Sequence, residues 1–252
     1  MINIECAKEV FKKYVSNYDI NNNRILLKYN HSLRVSKLCK DIALSLKLND
    51  EGVLLAELIG LLHDIGRFEQ LEKYNSFDDR KTIDHGLLGT ILLFNNNMIR
   101  DYMGVDTFDE IIKKAIFIHN KASIPQSFND TEKLYVKIVR DADKIDILYL
   151  MSIKEIYYEL DNEEISEEVL NCILDEHFIN HKIVKTVLDK VLLNLAFIYD
   201  LNFNYSYKVI NKEKYISMII DALNLSDLNS IRIFNIVEEF IYKKLEKCEE
   251  VD

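Results

Sequence analysis

The chain has 252 residues, of which 48% are hydrophobic and 29% are charged, and its formal net charge is −10. These values are typical of a soluble globular protein, and no uninterrupted apolar run reaches the length of a membrane span. The acidic balance argues against nucleic acid or a membrane surface as a partner, but it permits a small phosphorylated substrate or nucleotide.

A scarcity of helix breakers predicts the fold class. The sequence holds one proline, Pro125, and six glycines, and its apolar residues recur with the helical period over long stretches. We therefore predict an all-α protein with one domain over residues 1–252. We expect its core at about residues 25–150, with C-terminal helices at about 151–252 packed on that core.

The predicted elements of the N-terminal half follow from apolar periodicity. His31 begins the apolar face of the second helix, Asn49 is a candidate cap for the third, and Gly66 is its expected C-terminal stop. We predict a helix at Glu5–Tyr18, a second that contains His31 and has an apolar face from there to Leu46, and a third that ends in His63–Asp64. A fourth continues to Phe94 after the segment that starts at Asp84, and a fifth covers Phe108–Asn120, with a polar loop at Arg67–Thr82.

Apolar periodicity predicts five more helices in the C-terminal half. The first of them contains the run Arg140–Asp146, in which three aspartates interrupt an otherwise apolar segment. Such carboxylates are costly in a core unless they have a function. The predicted helices are Glu132–Ile153, Glu167–Phe178, Lys182–Ile198, Lys212–Leu223 and Ser230–Lys247.

His63 and Asp64 are strongly polar residues at the end of a helix that is otherwise apolar almost all round. Buried polar groups must be paired or must bind a metal, and an imidazole and a carboxylate are both metal ligands. The dipeptide alone is a weak signal, because it arises often by chance. A metal site therefore depends on further ligands elsewhere in the chain.

Three more histidines before residue 120 lie on apolar helical faces or at their edges, namely His31, His85 and His119. A single such histidine is more often a satisfied core residue than a ligand. Four of them together, with several aspartates, are harder to explain by packing. His177 and His181 also have helical spacing, but without an evident third ligand we predict that they are surface residues.

The order His31, His63–Asp64, His85, His119, Asp143 resembles the pattern of the HD-domain superfamily of metal-dependent phosphohydrolases. The strings Leu-His-Asp-Ile-Gly and Ala-Asp-Lys-Ile-Asp are that superfamily's most recognisable segments, and the similarity covers about residues 25–150. The two intervening histidines are similar to the dinuclear branch, which includes HD-GYP phosphodiesterases and two diiron oxygenases. No GYP segment is present, so we do not extend cyclic-dinucleotide specificity to this chain.

The resemblance implies a dinuclear site. One divalent metal ion would be held by His31, His63, Asp64 and Asp143, and Asp64 would bridge to a second ion held by His85 and His119. Such ligands suit Mn, Fe, Co, Ni or Zn. Two adjacent ions would activate a bridging hydroxide, whose proton Asp64 would help to manage, and would stabilise the charge gained by a phosphate.

Several assignments stay open at this level. Asp141 is the rival of Asp143, since both have apolar neighbours, and Asp84, Asp141 and Asp146 also suit a structural role or the orientation of a ligand histidine. Arg67 and Lys144 are candidates for binding a substrate phosphate, with solvated surface positions as the alternative.

Three functions fit the pattern. The first is hydrolysis of a small phosphate ester or nucleotide, which cations around the site would favour. The second is a mixed-valent diiron oxygenase with the same ligands, and the third is a regulatory or binding protein with a structural metal. The four scattered cysteines have no C-x-x-C spacing and no signal peptide is evident, so we expect reduced thiols and a cytoplasmic protein. The oligomeric state stays open.

Overall fold

The computed structural model describes residues 2–156, 158, 160, 164–224 and 228–249, without the side chains of 228–230, 248 and 249. Every regular element in these ranges is helical, which confirms the all-α prediction. None of the described helices combines the length and the apolar character that crossing a membrane requires. Cys6, Cys39 and Cys172 are not in disulfide bonds, and the side chain of Cys248 lies outside the described set.

The chain separates into two compact units, residues 1–142 and residues 143–252. The boundary between them falls within the helix Asp130–Ser152. A single domain with C-terminal helices packed on its core stays a prediction, and each unit is described here by itself.

Several helices of the first unit begin at a side-chain cap. The Asn49 side chain accepts a hydrogen bond from the Gly52 amide at 2.8 Å, which confirms the predicted cap, and Asn3, Asn22 and Asp84 cap three other helices. The elements are α1 (Ile4–Val15), α2 (Asn23–Ser45), α3 (Asp50–Leu62), α4 (Gly66–Tyr74), α5 (His85–Thr90) with a π-helical turn (Ile91–Asn95), α6 (Ile99–Tyr102), α7 (Asp109–Ile118) and α8 (Asp130–Ser152).

Close contact between α2 and α3 forms the centre of this unit. Almost every residue of α3 is buried, as its apolar sequence predicts. Gly60 permits the close approach, because a Cβ there would lie 2.7 Å from the Cys39 Sγ and 2.9 Å from the Val35 carbonyl oxygen. The C-terminal end of α3 is thereby held against the middle of α2.

The predicted polar loop Arg67–Thr82 is wrong in its first half, because Gly66–Tyr74 forms α4. Phe68 and Leu71 are the only apolar side chains that this helix buries. Two apolar positions among several charged residues do not form a periodic pattern that predicts a helix. Gly66 begins a helix and does not end one. It is required for packing, since a Cβ there would lie 2.3 Å from the His85 carbonyl oxygen.

The second unit departs further from the predicted boundaries. The helix predicted over Lys182–Ile198 is broken before Thr186, which caps a new helix. The helix predicted over Lys212–Leu223 begins at Tyr215, and the helix that precedes it, Asn204–Lys212, was not predicted. The described elements are α9 (Glu167–Leu174), α10 (Val187–Leu195), α11 (Asn204–Lys212), α12 (Tyr215–Leu223) and α13 (Leu228–Glu249), with 3₁₀ turns at His181–Ile183 and Ala196–Asp200. His177 and His181 are exposed, as predicted.

The Asp189 carboxylate organises the start of α10. It is fully buried and accepts hydrogen bonds from the amides of Ser166 (3.0 Å), Lys185 (2.9 Å) and Thr186 (3.1 Å), and from the Ser166 hydroxyl (2.7 Å). Burial alone would raise the pKa of this carboxyl, but the hydrogen bonds outweigh burial and hold the pKa below its usual range.

We expect Asp189→Asn to lower the free energy of unfolding by about 2–3 kcal/mol, because an amide nitrogen cannot accept these hydrogen bonds. The depressed pKa means that the carboxylate stabilises the fold above its unfolded pKa and loses this effect as the pH falls through the folded value. The difference from wild type should therefore shrink below about pH 4. Urea unfolding at several pH values measures this difference in the free energy of unfolding. Asp175→Asn is a control at an exposed position, and its free energy of unfolding should match that of wild type.

Candidate metal centre

Five of the six predicted ligands come together inside the first unit. Each side chain is at most 5% exposed. His31 lies in the middle of α2, His63 and Asp64 follow the last residue of α3, His85 is the first residue of α5, and His119 follows the last residue of α7. Four elements that are distant in sequence therefore place imidazoles and one carboxylate in one buried cluster.

The ends of α3 and α7 orient two of these rings in the same way. His63 Nδ1 lies 2.8 Å from the Gly60 carbonyl oxygen, and His119 Nδ1 lies 2.7 Å from the Ile116 carbonyl oxygen. Helix ends leave such carbonyls without a helical partner. A carbonyl oxygen only accepts, so each Nδ1 carries the proton and each Nε2 keeps a lone pair. Both rings are therefore prepared to bind a metal through Nε2.

Asp79 orients His85 by the same principle. Its Oδ2 lies 2.6 Å from His85 Nδ1. The carboxylate therefore accepts a hydrogen bond from the Nδ1–H group, and His85 Nε2 keeps a lone pair. Burial and the nearby Arg67 lower the pKa of His85 to about 4. The ring is therefore neutral near neutral pH, which is the protonation state of a metal ligand.

The Nε2 atoms meet in two close pairs. His85 Nε2 lies 3.0 Å from His119 Nε2, and His31 Nε2 lies 3.2 Å from His63 Nε2. In the first pair both Nδ1 atoms donate elsewhere, so in the neutral rings two nitrogen lone pairs face each other in a buried site. A cation shared by the two nitrogens would relieve this repulsion. Metal–nitrogen bonds of about 2.0–2.1 Å are long enough for one ion to reach both nitrogens of a pair.

Asp64 presents one oxygen to each histidine pair. Its Oδ2 lies 3.5 Å from His31 Nε2 and 3.7 Å from His63 Nε2, while its Oδ1 lies 3.3 Å from His85 Nε2 and 3.7 Å from His119 Nε2. The atoms of each group fall within 4.8 Å of one another. The donor set therefore fits two ions that share the Asp64 carboxylate.

Two cations also contact Asp64. Lys28 Nζ lies 2.7 Å from Oδ2, and Arg67 Nε lies 3.6 Å from Oδ1. Burial alone would raise the pKa of Asp64, but Lys28 and His63 outweigh it and hold the pKa well below its usual range. Asp64 is thus an anion across the neutral pH range.

Arg67 is built into the site and is not a solvated surface residue. Its guanidinium donates to the Gln70 side chain (2.8 Å), the Phe77 carbonyl (2.7 Å) and the Asp79 carboxylate (2.8 Å). The loop after α4 is therefore tied to the metal centre through Asp79, which contacts both Arg67 and His85. Sequence reasoning overlooked Asp79 and Lys28. Lys28 had one available signal, since it lies three residues before His31 on the same helix.

The remaining candidate site residues lie on α8. Asp141 and Asp146 are buried, and Asp143, the first residue of the second unit, is partly exposed. Lys144 pairs with the Asp200 carboxylate inside the second unit. The roles predicted for Asp143 as a ligand and for Lys144 as a substrate cation stay predictions.

Asp84 acts at the edge of the site and does not contact the imidazoles. Its carboxylate caps α5 by accepting from the Leu87 amide (2.9 Å), and it pairs with Lys121. It also accepts from the Asn120 side chain (3.1 Å), which extends to Asp79 (3.2 Å). Of the two roles predicted for Asp84, these contacts favour the structural one.

We expect Asp79→Asn to weaken binding of the ion at His85 and His119 by about 10–100-fold, because His85 loses the charged acceptor that orients it. Metal titration followed by calorimetry measures the affinity for each of the two ions. Asp78→Asn is the matched control, since the neighbouring Asp78 pairs with Arg80. Equal metal affinities in both variants and wild type would contradict the role given to Asp79.

A protein-family model matches part of this chain. Residues 29–148 match the family model described as HD domain. This match and the His/Asp cluster confirm the resemblance seen in the sequence. No curated protein and no solved structure matches the chain.

Proposed function

We propose that this chain, in which residues 29–148 form an HD domain, hydrolyses a small phosphate ester or a nucleotide at the Asp64 site. The HD superfamily consists in general of metal-dependent phosphohydrolases. His31, His63, Asp64 and Asp143 would hold one transition-metal ion, and Asp64, His85 and His119 would hold the other. When bound, two such ions lower the pKa of a water molecule and stabilise negative charge on a phosphate.

The arrangement of Asp64 between two histidine pairs and two cations carries this proposal. The neutral imidazoles supply nitrogen lone pairs without adding charge, so Asp64 provides the negative charge shared by the two groups. Lys28 and Arg67 stand on opposite oxygens of that carboxylate. We expect them to donate hydrogen bonds to the oxygens of a phosphate bound beside Asp64 and to orient it.

These two cations favour phosphate chemistry over the oxygenase alternative. Lys28 and Arg67 concentrate positive charge next to the candidate ligand Asp64, in a chain whose net charge is −10. A phosphorylated substrate needs such groups to offset its charge. Phosphate is therefore the substrate group that the site suits best.

The test is a release assay over phosphomonoesters, phosphodiesters and nucleotides with Mn, Fe, Co or Ni added. We expect phosphate or pyrophosphate release that chelators abolish. Arg67→Met should weaken substrate binding and leave metal content unchanged. A metal-replete protein that releases nothing from the panel, yet consumes oxygen with an alcohol or a phosphonate, would assign the same ligands to an oxygenase.

A further inference from the structure

Three cations surround a single aromatic ring at the edge of the metal centre. The guanidinium carbons of Arg24 and Arg67 lie 4.8 Å and 5.6 Å from the centre of the Phe77 ring, and Lys28 Nζ lies 5.8 Å from it. Cation–π contacts of this kind hold charged groups in place. In an acidic chain, they create a local concentration of positive charge.

The carboxylates around this ring do not balance the three cations. Arg67 has Asp79, and Lys28 has Asp64. Within the described residues no carboxylate pairs with Arg24, which donates to the backbone oxygen of Asn75 (3.2 Å) and to its side-chain oxygen (3.0 Å). Lys28 shares its partner Asp64 with the candidate imidazole ligands. The positive charge of the three cations around Phe77 therefore exceeds the negative charge of the carboxylates that pair with them.

The order of these residues along α2 gives the subsite a direction. Arg24, Lys28 and His31 have the spacing i, i+4, i+7 and so share one face of the helix. With a rise of 1.5 Å per residue, Arg24 lies about 6 Å beyond Lys28 and about 10 Å beyond His31 along the helix axis. The cations therefore form a row that begins at a metal ligand and leads away from it.

We propose that Arg24 and Lys28 bind a second phosphate of the substrate, so that the substrate class is a compound with two or more linked phosphates, such as a nucleoside diphosphate or triphosphate. This inference rests on the proposed function. A phosphate beside Asp64 meets Lys28 and Arg67, and the next phosphate along the row meets Lys28 and Arg24. A monophosphate leaves Arg24 without a ligand, whereas a chain of phosphates uses all three cations.

Binding of two unreactive probes to the Mn-loaded protein tests the subsite. Methylenediphosphonate carries two linked phosphonates and has no bond that hydrolysis could cleave, and methylphosphonate carries one. We expect Arg24→Met to lower the affinity for methylenediphosphonate about tenfold, which is the loss of one charge-assisted contact. Its affinity for methylphosphonate should equal that of wild type. Titration calorimetry measures both, with Mn kept in the buffer and metal content determined in the same samples.

Lys37→Met is the matched control, because Lys37 lies on the same helix and pairs with Asp41 at the surface. It should bind both probes as wild type does. Unchanged binding of methylenediphosphonate by Arg24→Met would overturn the proposal, as would an equal loss for both probes. Since neither probe reacts, this result is independent of the release assay, and a failure of the proposed hydrolysis remains distinguishable from a failure of the subsite.

Discussion

Asp64→Ala should leave the purified protein without bound metal and without phosphohydrolase activity. Asp64 lies within reach of both histidine pairs. Without it, the two pairs lose the anion that they would share to offset the charge of two divalent ions. The affinity loss should exceed the 10–100-fold typical of residues that only orient a ligand.

Metal analysis by mass spectrometry and the release assay measure this result together. Asp41→Ala, on the surface of α2 and paired with Lys37, is a control that should keep both metal and activity. His85→Ala and His119→Ala should lower the stoichiometry from two ions towards one, since they remove ligands from one group only. Full metal content in Asp64→Ala would show that the carboxylate is not a ligand.

Asp143→Asn should lose metal and activity by more than about 100-fold, while Asp141→Asn should keep its metal. Two positions two residues apart on a helix point about 200° apart, so only one of these carboxylates can face a given site. The HD pattern selects Asp143. Asp141 is fully buried, so we expect its change to lower the free energy of unfolding by about 1–3 kcal/mol instead.

Metal content and thermal unfolding of the two variants separate these effects. Asp146→Asn, on the same helix, is a further control that should keep bound metal. The opposite ranking, with metal lost in Asp141→Asn and retained in Asp143→Asn, would place the ligand on the other face of α8.

The helices that carry the site were predictable because each buries a long apolar face. Residues 53–62 are apolar almost all round, and this run is the nearly fully buried α3. The same signal failed at α4, where only Phe68 and Leu71 are apolar and buried, and at the start of α12, which was predicted at Lys212 and lies at Tyr215. There, Lys214 adopts a left-handed conformation with a φ of 56°, which a non-glycine residue rarely shows and which periodicity does not reveal.

The clustering of the imidazoles and Asp64 was predictable because candidate metal ligands are distinctive residue types at recognisable positions. The residues that orient these side chains through hydrogen bonds were not predictable. Asp79 reaches His85 from a loop whose course depends on the Arg67 and Gln70 hydrogen bonds. Nothing in the local sequence distinguishes it from Asp78, which pairs with Arg80 instead. Contacts of this kind come from the tertiary structure and carry no spacing rule.

Anomalous diffraction from crystals of the Mn- or Co-loaded protein tests the central claim most directly, because it locates the ions. We expect two peaks, about 3.5–4 Å apart, one beside Asp64 Oδ2 with His31 and His63, and one beside Oδ1 with His85 and His119. A single peak, or two peaks that do not share Asp64, would contradict the dinuclear centre.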